Sequence, residues 1–193
     1  MTSEEAASRV LRDRDLLAAK GGVTVSGGEP TLQPAFLMEF LDRVSGLHRA
    51  IETCGFCRPG VFGEILTHLD YVLMDLKLID PEAHRYWTGQ DNAWILENLE
   101  QVRRSGLPFV IRIPLIPGVN DTEDNLEATA ELLEGAENLQ YVELLPYHQT
   151  AGAKYTMVGR EYNPGFDTQA PPNQNLTPFE RRGLSARLIW PNG

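Results

Sequence analysis

Strand-length apolar runs alternate with longer amphipathic stretches along most of the chain, and this alternation constrains the fold more than any other feature. Residues 23–26, 49–52, 71–77, 109–116 and 141–147 have the length and composition of strands. Between them, residues 34–47, 59–68, 91–105 and 121–135 carry apolar side chains at helical spacing. Phe36, Leu37, Phe40, Leu41 and Val44 form one such stripe, and Trp94, Ile95, Leu96, Leu99 and Val102 another. A helix over residues 3–19 precedes the first strand, with Ser3 placed to cap it and Glu4 and Glu5 in its first turn. Gly21-Gly22 ends that helix. After the fifth strand comes a loop rich in Gly, Pro, Asn and Gln, residues 149–175. A short helix near Phe179 and a last strand at 186–190 follow. Apolar strands alternating with helices predict an α/β fold, a parallel sheet covered by helices, as an open barrel or a doubly wound sheet.

Composition narrows the function classes. The 193 residues show no repeat and no linker long enough to divide the chain, so residues 1–193 are read as a single domain. Lys and Arg total 17 against 27 Asp and Glu, a net charge of −10, and no basic cluster exceeds two residues. Nucleic-acid binding needs clustered positive charge, so a nucleic acid is not an expected partner. No run approaches the roughly 20 apolar residues of a membrane span. The opening MTSEEAASRV lacks the pattern of a secretory signal. Two cysteines, Cys54 and Cys57, cannot make a disulfide framework, and a reduced cytoplasmic setting is expected.

In barrels and open α/β sheets, ligands bind at the carboxyl ends of the strands. At those ends lie Ser26-Gly27-Gly28-Glu29-Pro30, then Glu52, Thr53 and Cys54, then Asp75 and Lys77, then Arg112 ahead of Ile116-Pro117-Gly118, and Tyr147 and His148. Each has a second, structural reading. Gly27-Gly28 suits a tight turn; Asp75 and Lys77 suit an ion pair on one strand face; Arg112 suits a structural pairing with Glu52 or Asp75; His148 suits a satisfied, half-buried histidine. Their joint placement at one rim favours a binding site.

The segments GGVTVSGGEP, AIETCGF, VLMDLK, IRIPLIPGVND and VELLPYH, in this order, resemble the glycyl-radical-enzyme activating enzymes, a branch of the radical S-adenosylmethionine superfamily that includes pyruvate formate-lyase activating enzyme. The resemblance runs from about Ser3 to Met157 and more loosely to the end. It implies a partial (β/α) barrel and two cofactors, S-adenosyl-L-methionine and a [4Fe-4S] cluster. It implies an oxidoreductase that removes a hydrogen atom from a glycine of a partner glycyl-radical enzyme, with flavodoxin or ferredoxin as electron donor. Carried onto this chain, it assigns Gly27, Gly28 and Glu29 to the amino group of S-adenosylmethionine. Glu52, Thr53 and Asp75 are assigned to a monovalent cation beside the cofactor carboxylate. Lys77, Arg112 and His148 are assigned to the surrounding cofactor pocket, Thr53 and Asp75 also touching it. No catalytic residue is assigned.

One departure is large. The family binds its cluster through C-x3-C-x2-C in the loop after the first barrel strand, and this chain has no such motif. Cys54-x2-Cys57 follows a different strand and supplies two thiols where three are needed. The chain is therefore expected to begin after the family's first strand, to hold no iron–sulfur cluster and to be inactive by itself. A missing first strand would leave residues 23–26 as an unprotected sheet edge. Two alternatives remain open: a non-catalytic remnant that binds the nucleoside cofactor or a partner, and an ordinary β/α enzyme using Asp75, Lys77 and His148 as acid–base groups.

Overall fold

Among the described residues six strands pair in chain order into one sheet, and each of these pairings is parallel. A computed structural model describes residues 1–147, 159 and 164–190 of the chain. The strands are β1 (Val23–Val25), β2 (Arg49–Thr53), β3 (Tyr71–Asp75), β4 (Phe109–Leu115), β5 (Leu139–Pro146) and β6 (Ala186–Leu188). The helices are α1 (Ser3–Val10), α2 (Arg14–Lys20), α3 (Pro34–Arg43), α4 (Pro59–Leu66), α5 (Pro81–Thr88), α6 (Ala93–Ser105), α7 (Glu123–Leu133) and α8 (Thr177–Glu180). The expected α/β architecture with a parallel sheet is thus what the chain adopts. Among the described residues no helix is long and apolar enough to cross a membrane.

Side chains alternate between the two faces of a strand, and the register carries that alternation across the sheet. Ile51, Val72, Ile111 and Val142 share one face and are fully buried. They pack with Leu37 and Leu41 of α3, Phe62 and Ile65 of α4, Leu99 and Val102 of α6 and Leu126 and Leu133 of α7. Fully burying one such side chain contributes roughly 2 kcal/mol. Emptying a site such as Ile111 by Ile→Ala costs about 2–5 kcal/mol. The opposite face carries Glu52, Asp75, Arg112 and Glu143, and the functional groups collect there.

Two helix expectations are corrected. Residues 3–19 do not form one helix: a 3-10 turn, Leu11–Asp13, separates α1 from α2. Only Ser3 and Ala7 are buried on α1 and nothing on α2, so packing does not enforce continuity. The sequence reading placed no element between the third strand and the next helix, where the structure has α5. Asp80 caps it by accepting from Ala83 N–H at 2.7 Å, Pro81 opens it, and Gly89 closes it in the left-handed region at φ 81°. Of the loop expected over 149–175, residues 149–158 and 160–163 lie outside the described residues.

Among the described residues β1 pairs only with β2 and is one edge of the sheet. Beside it runs a groove of about 740 Å³ lined by Ala6, Val10, Leu17, Val23, Val25 and Phe40 among others. Val23 donates to His48 C=O at 2.8 Å on the β2 side. In a parallel strand alternate residues point their backbone groups to alternate sides, so Thr24 turns its N–H and C=O toward the groove.

Candidate functional site

The register brings Asp75, Arg112, Glu143 and Arg187 side by side on four adjacent strands. Arg112 donates through Nε to Asp75 at 3.0 Å and through a terminal nitrogen to Glu52 at 2.8 Å. Ser26 at the end of β1 donates to the other oxygen of Glu52 at 2.6 Å. The Ser26 hydrogen bond, opposed by desolvation and aided by Arg112, holds the Glu52 carboxyl below its ordinary pKa. Burial works against the charge on Arg112, but Asp75 and Glu52 outweigh it and raise its pKa. Farther along the row, Arg187 donates to Glu143 at 2.6 Å and stacks over the Tyr141 ring at 3.7 Å. Tyr71 sits nearby, its phenol pushed up to about 12 by burial and then by Tyr141.

Thr53 takes a different direction. It follows Glu52 on β2 and lies on the other face, with its hydroxyl donating to Glu29 at 2.7 Å. The structure thus brings Glu52, Asp75 and Arg112 together and directs the Thr53 hydroxyl away from them. Among the described residues no three His, Cys, Asp or Glu side chains converge as a metal site.

Glu29 joins the turn after β1 to the end of β2. One carboxylate oxygen accepts from Thr31 N–H at 3.1 Å and from the Thr31 and Thr53 hydroxyls at 2.7 Å each. The other accepts from Cys54 N–H at 2.8 Å. Burial would raise its pKa, but these hydrogen bonds, Thr53 foremost, lower it. The turn it anchors holds Gly27 at φ 138°, a conformation suited to glycine. A Cβ built on Gly27 or Gly28 meets nothing within 4 Å, so the backbone there is open to approach from outside.

Lys77 lines a cavity of about 200 Å³ with Cys54, Phe56, Asp75, His84, Thr88, Gln90 and Ile95. The walls come from the ends of β2 and β3 and from α5 and α6. His84 is buried and its Nδ1 lies 2.7 Å from Gln90 C=O. Burial, and then the Glu29 carboxylate, push the Cys54 thiol up to about 11. Cys57 is also raised by burial. The turn between them is fixed by Asn98, whose amide donates to Gly55 C=O and Cys57 C=O, each at 2.8 Å. Gly55 sits at φ 72°, where a Cβ would collide with the Met74 methyl.

These donors do not fit an iron–sulfur cluster. Cluster irons are held by thiolates, and the chain offers two thiols held in the neutral form. The donors at the rim do suit the methionine end of S-adenosylmethionine: an open glycine backbone with carbonyl acceptors, and the cation Lys77 beside Asp75. His148 lies outside the described residues.

Sequence reasoning missed the amides that hold the rim. Asn98 fixes the turn after β2. Asn92 donates to Leu78 C=O and Ile79 C=O at 3.0 and 2.7 Å, after β3. Asn120 and Asp121 brace the turn after β4, accepting from Ile116 N–H and Gly118 N–H at 2.7 and 2.8 Å. The available signal was asparagine at helix positions that the apolar periodicity assigns to the core, as with Asn98 beside Leu99.

The sequence profile of the Radical SAM superfamily matches residues 1–133. The chain is 40% identical over 165 residues to the isethionate sulfite-lyase activating enzyme of Oleidesulfovibrio alaskensis, a match covering 83% of this chain and 53% of the relative. It is 35% identical to the pyruvate formate-lyase-activating enzyme of Clostridium pasteurianum, covering 84% of this chain and 69% of the relative. The chain spans about half the length of the first curated relatives it matches. A solved domain of pyruvate-formate lyase-activating enzyme from Bacteroides vulgatus superposes with a TM-score of 0.69 at 34% identity, covering 88% of this chain and 99% of that one.

Proposed function

The chain belongs to the radical SAM superfamily, and from that premise we propose that it supplies the S-adenosylmethionine-binding sheet of an activating enzyme that installs a glycyl radical on a partner protein. The observation that carries this reading is the open Gly27–Gly28 turn set beside the Glu52–Arg112–Asp75 group at the carboxyl end of a parallel sheet. The names of the relatives support the activating role.

Gly27 and Gly28 offer backbone carbonyls to the cofactor ammonium, and the absence of side chains lets the ligand approach closely. Lys77 faces the cofactor carboxylate. Arg112 holds Glu52 and Asp75 in place and helps to keep the Glu52 carboxyl ionised. Glu52 and Asp75 would offer carboxylate oxygens, and Thr53 a backbone oxygen, to a monovalent cation. When bound, S-adenosylmethionine supplies the hydrogen-abstracting chemistry, and the protein binds, orients and shields it. Because the chain's thiols do not suit the cluster, no step is assigned to iron here. The protein substrate is a glycyl-radical enzyme and the electron donor a flavodoxin or ferredoxin; neither a nucleic acid nor a membrane is involved, and the setting is the cytoplasm.

The test is equilibrium dialysis of the chain against labelled S-adenosylmethionine, with excess adenosine as competitor. Saturable one-to-one binding that adenosine alone displaces poorly supports the reading. No saturable binding overturns it in favour of a remnant that only contacts a partner protein.

A further inference from the structure

We propose that Asn125 is a positioning residue that sets the place of Lys77 from a distance. Asn125 lies on α7 and is 8% exposed. Its side-chain oxygen accepts from Ile79 N–H at 3.0 Å. Its side-chain nitrogen donates to Lys77 C=O at 3.1 Å and to Asn120 C=O at 2.8 Å. One amide therefore ties the loop after β3 to the loop after β4. Asn120 in turn donates to Pro114 C=O at 2.6 Å and accepts from Ile116 N–H at 2.7 Å. Asn92 takes the remaining carbonyls of the β3 loop, Leu78 and Ile79, so its backbone is held from two sides.

The residue type follows from the demand. The site needs one acceptor for an N–H and two donors for two carbonyls, and a primary amide supplies all three. A carboxylate of the same shape keeps the acceptor and turns a charged oxygen toward two carbonyl oxygens. The backbone of Asn125 is itself fixed: its N–H donates to the Thr122 hydroxyl at 3.3 Å and its C=O accepts from the Thr129 hydroxyl at 2.7 Å. Asn125 is thus a rigid post, and the segment it holds carries Lys77 into the cavity beside Cys54 and Asp75. The consequence for chemistry rests on the cofactor reading of Lys77, whereas the placement of the loop does not.

The experiment uses the whole chain without cofactor, so failure to bind S-adenosylmethionine leaves it intact. Wild type, Asn125→Asp and Asn138→Asp are treated briefly with an amine-reactive succinimidyl ester. Lys77 acylation is read by peptide mass spectrometry relative to exposed Lys20 of the same molecule. Asn138 makes a matching clamp ahead of β5, donating to Val102 C=O and Leu107 C=O away from the Lys77 cavity, so Asn138→Asp controls for general destabilisation. Asn125→Asp changes the Lys77-to-Lys20 ratio by roughly tenfold, the population shift that an unmet buried hydrogen bond of ordinary cost produces. Asn138→Asp leaves the ratio at the wild-type value. An unchanged ratio in Asn125→Asp, or the same change in both variants, overturns the proposal. Should Asn125→Asp fail to fold, hydrogen exchange of wild type decides: a strongly protected Ile79 amide supports the clamp, and exchange at the rate of an unstructured amide overturns it.

Discussion

Glu29 accepts the backbone N–H of Cys54 at 2.8 Å, and this bond ties the turn after β1 to the end of β2. Thr31 N–H, a fixed donor, points at the opposite oxygen of the same carboxylate. A glutamine has one acceptor oxygen and satisfies only one of these two backbone groups. Glu29→Gln is therefore expected to cost about 1–3 kcal/mol, the penalty of an unmet buried donor, read by urea denaturation. The sign of the pH dependence follows from the lowered pKa of Glu29. Its contribution is present above the ordinary value of 4.5 and is lost as pH falls through the folded value. Wild type loses stability across that acidic interval, and Glu29→Gln loses less. Parallel curves for the two proteins would count against the account.

Cofactor affinity is expected to follow the glycines and not the cysteines. Gly28→Val places a side chain in the space that is open beside the turn and abolishes S-adenosylmethionine binding. Cys54→Ala, which alters a neutral thiol at the cavity wall, retains it within about threefold, a change worth under 1 kcal/mol. Calorimetry on the two variants provides the comparison, and equal loss in both refutes the assignment.

The thiols are expected to be inert. With a pKa near 11, Cys54 is almost wholly protonated at pH 8. Alkylation of Cys54 by iodoacetamide at pH 8 is slower than that of a free thiol such as glutathione, and it accelerates as pH rises toward 11. A rate at pH 8 matching glutathione would contradict the burial argument.

Anaerobic reconstitution with iron and sulfide is expected to leave the isolated chain without a stoichiometric [4Fe-4S] cluster. Iron and sulfide assays, with the broad thiolate-to-iron absorption band as a second readout, test this. Loading close to four irons per chain would show that the two cysteines recruit ligands from elsewhere.

The β1 edge is expected to drive self-association. Residues 21–28 carry no charge and no proline, and among the sequence-level protections of a sheet edge only the shortness of β1 is present there. Thr24 is exposed on the face away from the core, while Val23 and Val25 pack against it. Thr24→Lys is therefore the substitution that places a charge at the edge without disturbing packing. Light scattering across a concentration series shows association of wild type that Thr24→Lys reduces. A concentration-independent monomer with slow amide exchange at Thr24 would rule the open edge out.

The strands were legible because each is a short run of apolar residues between turn signals, and all six appear in the structure. α5 was not legible by periodicity, because only His84 of its eight residues is buried. Its Asp80-Pro81 start and Gly89 stop were the signals to weigh. The rim was legible as a set of strand ends, and Arg112 indeed meets both Glu52 and Asp75. Grouping the side chains of Glu52 and Thr53 was at odds with strand alternation, which sends neighbours to opposite faces. The amides were hidden for a different reason. An asparagine at a core position of a helix signals that it has partners but not which ones, because they lie far away in sequence; Asn125 and Ile79 are 46 positions apart.

The row Asp75–Arg112–Glu143–Arg187 alternates in sign from strand to strand. Glu52 and Lys77 add one charge of each sign, so among the described residues three acids and three bases share this face of the sheet. A chain with a net charge of −10 thus presents, at its mouth, a field of opposed dipoles rather than a monopole. Such a field decays over the spacing of neighbouring strands, about 4.8 Å, well inside the Debye length of about 8 Å at physiological salt. An approaching molecule is not attracted or repelled from afar by this surface. It is sorted at contact, by whether its own plus and minus ends fall in step with the rows.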